Sequence, residues 1–216
     1  MREALAAGAV VELFATAEAM QRYPELAADA AEISGKDAAA LSETVTPQGL
    51  VAVCELRQPA IAELTDPQLL VVLVAPNDPG NVGTIIRTAD AAGADAVVLD
   101  GGVDAYNGKA VRASAGSLFH LPIVTATAED VVALPGVTSF ATSGAGAASL
   151  DELIDSGALA APSAWLFGTE AHGLPASVLD TADHTVRVPI YGRAESLNLA
   201  AAAAVCLYAS ARAQRT

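Results

Sequence analysis

From Gln68 onward, apolar runs of strand length alternate with helix-type stretches at short, regular intervals. LLVVLVA (69–75) is a continuous apolar run bounded by turn residues and predicts a buried strand. A helix follows from about Val82 to Ala92, then a strand at AVVLD (96–100). Lys109 to Leu118 predicts a further helix, and PIV (122–124) a short strand. TSFATS (138–143) predicts a strand, Leu150 to Ser156 a short helix, AWLFG (164–168) a strand and Ala176 to Leu179 a helical turn. TVRVPI (185–190) is the last strand, and Leu197 to Ala211 a long alanine-rich helix of high intrinsic propensity. Such alternation implies an α/β fold built on a mostly parallel sheet flanked by helices on both faces.

Residues 1–58 predict a smaller α/β piece of their own. It opens on a helix, Arg2 to Ala7, followed by a strand at VVELFAT (10–16). Helical stretches are expected at Glu18 to Tyr23, Glu25 to Glu32 and Asp37 to Glu43, and LVAVCEL (50–56) is a second strand entered through Thr46-Pro47-Gln48-Gly49. Residues 59–67, with a proline near each end, read as a linker to the larger domain at 68–216.

In parallel α/β sheets ligands sit outside the carboxyl ends of the strands. Three glycine-containing segments fall at such ends. In NDPGNVGTIIRTADAAG (77–93), Asp78-Pro79-Gly80 breaks the strand, and Asn81 is placed to cap a helix whose free N–H groups favour an anion. With Ile85, Ile86 and Ala89 facing the sheet, Arg87 points elsewhere and can fork onto a phosphate or carboxylate. A capping Asn and a surface Arg are the plainer alternative. In LFGTEAHGL (166–174), Gly168 would let a ligand approach the backbone, and Glu170 is a strand-end carboxylate suited to a specific hydrogen bond. His172 is available as a base but reads more simply as a loop histidine. In VPIYGRAESLNL (188–199), Ser196 stands where an N-cap of the last helix would, with Asn198 in its first turn. Both could hold a ribose or substrate hydroxyl, or Ser196 could be a cap alone. No GxGxxG dinucleotide fingerprint, nucleophile elbow or metal-ligand cluster accompanies them.

Composition narrows this picture. Over half of the residues are hydrophobic, which suits a soluble globular chain, yet the longest apolar runs, Leu69 to Ala75 and Leu199 to Ala209, are too short to span a bilayer. No signal peptide opens the chain, and Cys54 and Cys206 lack metal-type spacing, so they read as buried reduced thiols of a cytoplasmic protein. A net charge of −14 argues against broad phosphate binding and for a shallow salt dependence with any nucleic acid. Five of the seven basic residues after Leu69, namely Arg87, Lys109, Arg112, Arg187 and Arg193, nevertheless lie in or between the three segments, which leaves room for a small positive site in an acidic shell.

Together the segments resemble the SpoU/TrmH family of RNA ribose 2′-O-methyltransferases, within the SPOUT superfamily. The resemblance spans roughly Leu69 to Arg212 and rests on Asn81-Val82-Gly83 through Arg87, Gly168-Thr169-Glu170 through Leu174, Pro189 through Ser196-Leu197-Asn198, and KAVRASAGSLFHLPI (109–123). It implies a parallel sheet whose C-terminal segment is threaded as a deep trefoil knot. S-adenosylmethionine would be held there by backbone groups of Gly168, Val188, Ile190 and Leu197, with Thr142 at the preceding strand end. It also implies a homodimer, a metal-free reaction on RNA, and RNA contacts at Lys109 and Arg112. Residues 1–58 resemble a ribosomal-protein-like (L30e-like) RNA-binding domain through REALAAG, VVELF and SETVTPQGLVAV. That match is partial, because the family's opening strand and turn have no counterpart before Arg2.

The expected activity is methyl transfer to a ribose 2′-hydroxyl, in ribosomal RNA before transfer RNA. Arg87 is assigned a phosphate grip and stabilisation of the developing alkoxide, since a guanidinium is almost never deprotonated and makes a poor base. Asn81, Glu170, Ser196 and Asn198 would complete the catalytic constellation. The alternatives are a knotted RNA- or cofactor-binding protein without transfer activity and a nucleotide enzyme of another cofactor class. The missing GxGxxG counts against the latter.

Overall fold

The structure is a computed structural model that describes residues 1–42, 44 and 46–215. The chain divides into two compact units, Met1–Arg57 and Gln58–Thr216.

The first unit begins with helix α1 (Arg2–Ala6), strand β1 (Val10–Ala15) and helix α2 (Ala17–Arg22). Strand β2 (Ala31–Glu32), helix α3 (Gly35–Leu41) and strand β3 (Leu50–Cys54) follow. β1 is central, parallel to β2 and antiparallel to β3. Thr16 caps α2 and Ser34 caps α3, each hydroxyl accepting a backbone N–H three residues on. Residues 25–32 are not helical, contrary to the sequence reading. Pro24 follows the end of α2, and Ala31 and Glu32 give their backbone to the edge of β1 instead, where Phe14 pairs with Ala31. Sheet pairing across 17 residues is invisible to local periodicity. The end of the predicted helix 37–43, Glu43, lies outside the described residues.

The second unit contains β4 (Leu69–Val74), α4 (Pro79–Ala92), β5 (Ala96–Asp100), α5 (Gly108–Ala113), β6 (Ile123–Thr125) and α6 (Ala128–Val132). It continues with β7 (Thr138–Thr142), β8 (Ala148–Ser149), α7 (Leu150–Asp155), β9 (Ser163–Phe167), α8 (Ala176–Thr181), β10 (His184–Arg187) and α9 (Leu199–Ala213). The seven strands form one sheet in the order β6-β5-β4-β9-β7-β10-β8, and every neighbouring pair is parallel. The period-2 pleat sends alternate residues of β4 to opposite faces. Leu69, Val71 and Leu73 join one core with Val82, Ile85, Ile86 and Ala89 of α4 and Ala203, Cys206 and Leu207 of α9. Leu70, Val72 and Val74 join a second with Ala128 and Val131 of α6 and Val178 of α8. A strand wetted on neither face is why LLVVLVA carries no polar alternation.

Several boundaries moved for identifiable reasons. Residues 59–67 belong to the second unit, where a 3-10 turn at Ile61–Glu63 is closed by Glu63 accepting from the Ala60 N–H, and Ile61 and Leu64 pack on the second core. The helix predicted over 109–118 stops at Ala113, because Ala115 and Gly116 take left-handed conformations (φ 52° and 102°) before a 3-10 turn at Ser117–Phe119. Helix α6 went unpredicted, although its capping box, Thr127 with Asp130 three residues later, is written in the sequence. Gly83 lets α4 and α5 close on each other: a methyl group there would meet the Ala110 carbonyl oxygen at 2.3 Å.

The indole N–H of fully buried Trp165 donates to Ser210 Oγ of α9 at 2.8 Å. Nearby on α9, burial pushes the Cys206 thiol up to about 12, whereas Cys54 of β3 is only partly buried. A thiol reagent at about pH 8 is therefore expected to label Cys54 alone in the folded chain and both cysteines after denaturation. Two labels on the native chain, counted by intact-mass spectrometry, would contradict this packing.

Candidate active site

Because all seven strands run parallel, their carboxyl ends line one edge of the sheet. The three motif segments leave that edge from β4, β9 and β10, with β7 the one strand between β9 and β10.

The first segment starts α4 earlier than predicted. Asp78, not Asn81, is the N-cap: its Oδ1 accepts from the Gly80 N–H at 2.7 Å, and Pro79 at the first helical position presets the backbone. The same carboxylate oxygen accepts from Lys109 Nζ at 2.7 Å. The Lys109 hydrogen bond, then the Gly80 N–H, hold the Asp78 carboxyl below its usual range. The anion expected at this helix start is thus the chain's own, and Lys109, predicted as an RNA contact, is already paired. Arg112 is exposed on α5. Asn81, Thr84 and Arg87 recur at i, i+3 and i+6 on the side of α4 turned from the core. Arg87 is exposed and makes no hydrogen bond or ion pair among the described residues.

In the second segment, Thr169 to Gly173 closes a tight turn, with Gly173 N–H donating to Thr169 O at 2.8 Å and the reverse bond at 3.2 Å. Gly168 is buried, and the space beside its Cα is filled by protein: a methyl group there would lie 2.1 Å from the Gly173 carbonyl carbon. The glycine accommodates the turn's own backbone. His172 is exposed on the turn, with its backbone N–H bonded to Thr169 Oγ1.

The third segment runs from Val188 to Asn198 without regular structure. Asn198, not Ser196, caps α9, its Oδ1 accepting from the N–H groups of Ala200 and Ala201 at 2.9 and 3.4 Å. Ser196 is exposed two residues before the cap and makes no hydrogen bond among the described residues. A cap side chain must reach the second or third N–H of its own helix, and α9 starts only at Leu199.

Asn198 also joins the three segments. Its Nδ2 donates to Asn81 Oδ1 at 3.2 Å, and Asn81 Nδ2 donates to Glu170 Oε1. The direction of this relay is forced at both ends. A carboxylate only accepts, so Asn81 turns its amide nitrogen to Glu170 and its oxygen to Asn198. Asn198 must then keep its oxygen for the helix N–H groups. Residues 89 and 117 positions apart in the chain are thereby held in one hydrogen-bonded line.

Around this line the edge suits a ligand that combines flat apolar surface with polar edges. From Ile190 to Leu197 no backbone N–H is paired with a backbone carbonyl among the described residues. The side chains of Ile190 and Leu197 are exposed there despite being apolar. Thr142, at the end of β7, is half-buried and donates to the Leu166 carbonyl at 2.9 Å. Val188 follows β10, half-buried against the first core. Open backbone donors beside exposed aliphatic side chains fit S-adenosylmethionine, whose adenosine offers both kinds of surface. Among the described residues no group of three His, Cys, Asp or Glu side chains stands as metal ligands would, and no helix is long and apolar enough to cross a membrane.

An all-parallel sheet with a polar relay and unpaired backbone at its carboxyl edge defines a ligand-handling α/β protein. More narrowly, the chain belongs to the SpoU rRNA Methylase family, which residues 68–208 match. It is 41% identical over 173 residues to the 23S rRNA (guanosine(2553)-2′-O)-methyltransferase RlmP of Bacillus subtilis, covering 78% of this chain and 67% of that protein. An AdoMet-bound rRNA methyltransferase from Sinorhizobium meliloti superposes with a TM-score of 0.83 at 31% identity, over 98% of this chain and 85% of that one. The SpoU methyltransferase AviRb from Streptomyces viridochromogenes, in complex with AdoMet, gives 0.82 at 29% identity, over 99% and 86%.

Proposed function

We propose that this chain transfers a methyl group from S-adenosylmethionine to a ribose 2′-hydroxyl of ribosomal RNA. The observation that carries the reading is the Glu170–Asn81–Asn198 relay at the carboxyl edge of the sheet, in a chain of the SpoU rRNA Methylase family. Its similarity to proteins named as 23S rRNA 2′-O-methyltransferases supplies the substrate class.

When bound, S-adenosylmethionine supplies an electrophilic methyl group on a sulfonium. Backbone groups of Gly168, Val188, Ile190 and Leu197 would hold it, with Thr142 at the neighbouring strand end and the exposed Ile190 and Leu197 side chains as an apolar wall. Arg87 has no carboxylate competing for it among the described residues, so its fork is available to a substrate phosphate, and its fixed charge stabilises the oxygen as the 2′-hydroxyl loses its proton. The proton leaves through that phosphate, or through Ser196 and water. Asn81, Glu170 and Asn198 keep α4, the 169–173 turn and the start of α9 in register. Lys109 and Arg112 would contact RNA further out, Lys109 by exchanging Asp78 for a phosphate.

Three further parts of the reading have structural support. β9 lies between β4 and β7, and β10 between β7 and β8, so the last strands enter between strands made earlier; this supports a C-terminal trefoil knot. Ala201, Val205 and Tyr208 form an exposed stripe at i, i+4 and i+7 along α9, which supports a homodimer through that helix. The mixed three-stranded sheet of residues 1–57 supports an L30e-like RNA-binding module, and two free thiols are in keeping with the cytoplasm.

The test is twofold. Equilibrium dialysis with labelled S-adenosylmethionine should show saturable binding. Mapping 2′-O-methyl groups in RNA from cells with and without the gene should reveal a ribosomal site that depends on it. Binding without any gene-dependent site, or a site in transfer RNA alone, would overturn the assignment.

A further inference from the structure

Tyr191 is the feature of the third segment that the transfer reaction leaves unused. Its side chain is 84% exposed, more than any other large apolar residue among those described. An exposed tyrosine ordinarily moves freely in water, but this one is held. Its hydroxyl donates to Asp151 Oδ2 of α7, 40 residues earlier in the chain, and that bond is also the main reason its phenol is raised above the ordinary range. The hydrogen bond gives the ring a preferred position while most of its surface stays open to solvent. Its surroundings are equally specific. Arg193, two residues on, is exposed and makes no hydrogen bond or ion pair among the described residues. Glu195 follows, and the backbone N–H groups through Leu197 are paired with no backbone carbonyl among the described residues. The next residues, Gly192 to Glu195, are small or charged. A flat apolar face beside a free guanidinium is the chemistry that takes an unstacked nucleobase with its phosphate.

We propose that Tyr191 is a stacking platform for a base flanking the methylated nucleotide, with Arg193 on the adjoining phosphate. The proposal rests on the RNA reading above. Tyr191 and Asn198 are seven positions apart, so the platform lies within at most about 25 Å of extended chain from the relay. Tyr191 is a positioning residue. It selects RNA in which the neighbouring base can swing out of its stack, and so favours loops and bulges over continuous duplex.

The experiment uses the full chain and single-stranded RNA nonamers carrying one 2-aminopurine, whose fluorescence is quenched by stacking. Wild type should quench it, and an abasic replacement at that position should weaken binding. Tyr191→Ala should abolish the quenching and weaken nonamer binding by about 5- to 100-fold, whereas Tyr191→Phe, which keeps the ring, should retain most of both. Asp151→Ala should fall between them, because it frees the ring without removing it. With protein-free 23S ribosomal RNA as methyl acceptor, Tyr191→Ala should raise KM for RNA about tenfold and move kcat less than twofold. Quenching and affinity equal to wild type in Tyr191→Ala would overturn the proposal. So would a loss of S-adenosylmethionine binding, which would place the ring on the cofactor, or a shift to monomer in sedimentation, which would place it at a subunit contact. Quenching by a wild type that transfers no methyl group would overturn the proposed reaction and leave the platform standing.

Discussion

Replacing Arg87 by alanine is expected to lower methyl transfer by about 100- to 1,000-fold, the loss typical when a charge-stabilising donor is removed from a developing oxyanion. Binding of S-adenosylmethionine should stay within twofold, because Arg87 lies on α4 and the cofactor reading draws on backbone after β9 and β10. The fold should not respond either: the side chain is exposed and has no partner among the described residues, so its removal strands no buried group. Arg87→Lys separates charge from shape. It keeps the positive charge but loses the planar fork that grips a phosphate at two points, and it should recover only part of the rate. Single-turnover transfer to 23S ribosomal RNA, run beside equilibrium dialysis, measures both quantities. Turnover unchanged in Arg87→Ala would remove the arginine from the mechanism; a parallel loss of cofactor binding would assign it to the wrong ligand.

Gly168→Ala carries the largest expected effect on the fold. A methyl group there would stand 2.1, 2.2 and 2.3 Å from the Gly173 carbonyl carbon and oxygen and the Leu174 nitrogen. All three are backbone atoms, so no side chain can swing aside and the 169–173 turn itself must move. Overpacking of this kind costs about 3 kcal/mol at the upper end of its usual range. For a chain of this size that corresponds to a fall of roughly 6–12 °C in the unfolding midpoint. The turn carries Glu170, so the displacement also breaks the relay to Asn81, and transfer should drop more than about tenfold even well below the midpoint. Gly35→Ala is the matched control, since a methyl group on Gly35 meets open space. Calorimetry and transfer rate should single out Gly168; a variant with wild-type midpoint and rate would show that the turn adapts at no cost.

The sites of these two changes differ in how far the sequence reveals them. Arg87 was legible because a 3.6-residue period puts Ile85, Ile86 and Ala89 on the core and leaves the arginine outside it, which is what α4 shows. Gly168 was legible as a strand-end glycine, but its reason was not. The atoms that demand it belong to Gly173 and Leu174, and only the closed turn brings them near. The caps show the same limit at shorter range. Asp78-Pro79 and Asn198 are the caps in place of Asn81 and Ser196, because a cap is set by where the helix starts, and α4 starts at Pro79 and α9 at Leu199.

What the sequence by itself determined is most of the element pattern of the second unit, short of α6 and β8, the parallel sheet it implies and the three polar segments at strand ends. Those follow from local periodicity and from the two-sided burial that LLVVLVA announces. Two features were left to the tertiary structure. One is the insertion of β9 and β10 between earlier strands, since strand order is a choice among alternative pairings that the strands' own residues do not distinguish. The other is the relay from Glu170 through Asn81 to Asn198. Side-chain amides and a carboxylate have no preferred partner along an extended chain. They acquire one when parallel strands bring their carboxyl ends to a common edge and the demands of a carboxylate at one end and a helix terminus at the other leave each amide a single orientation.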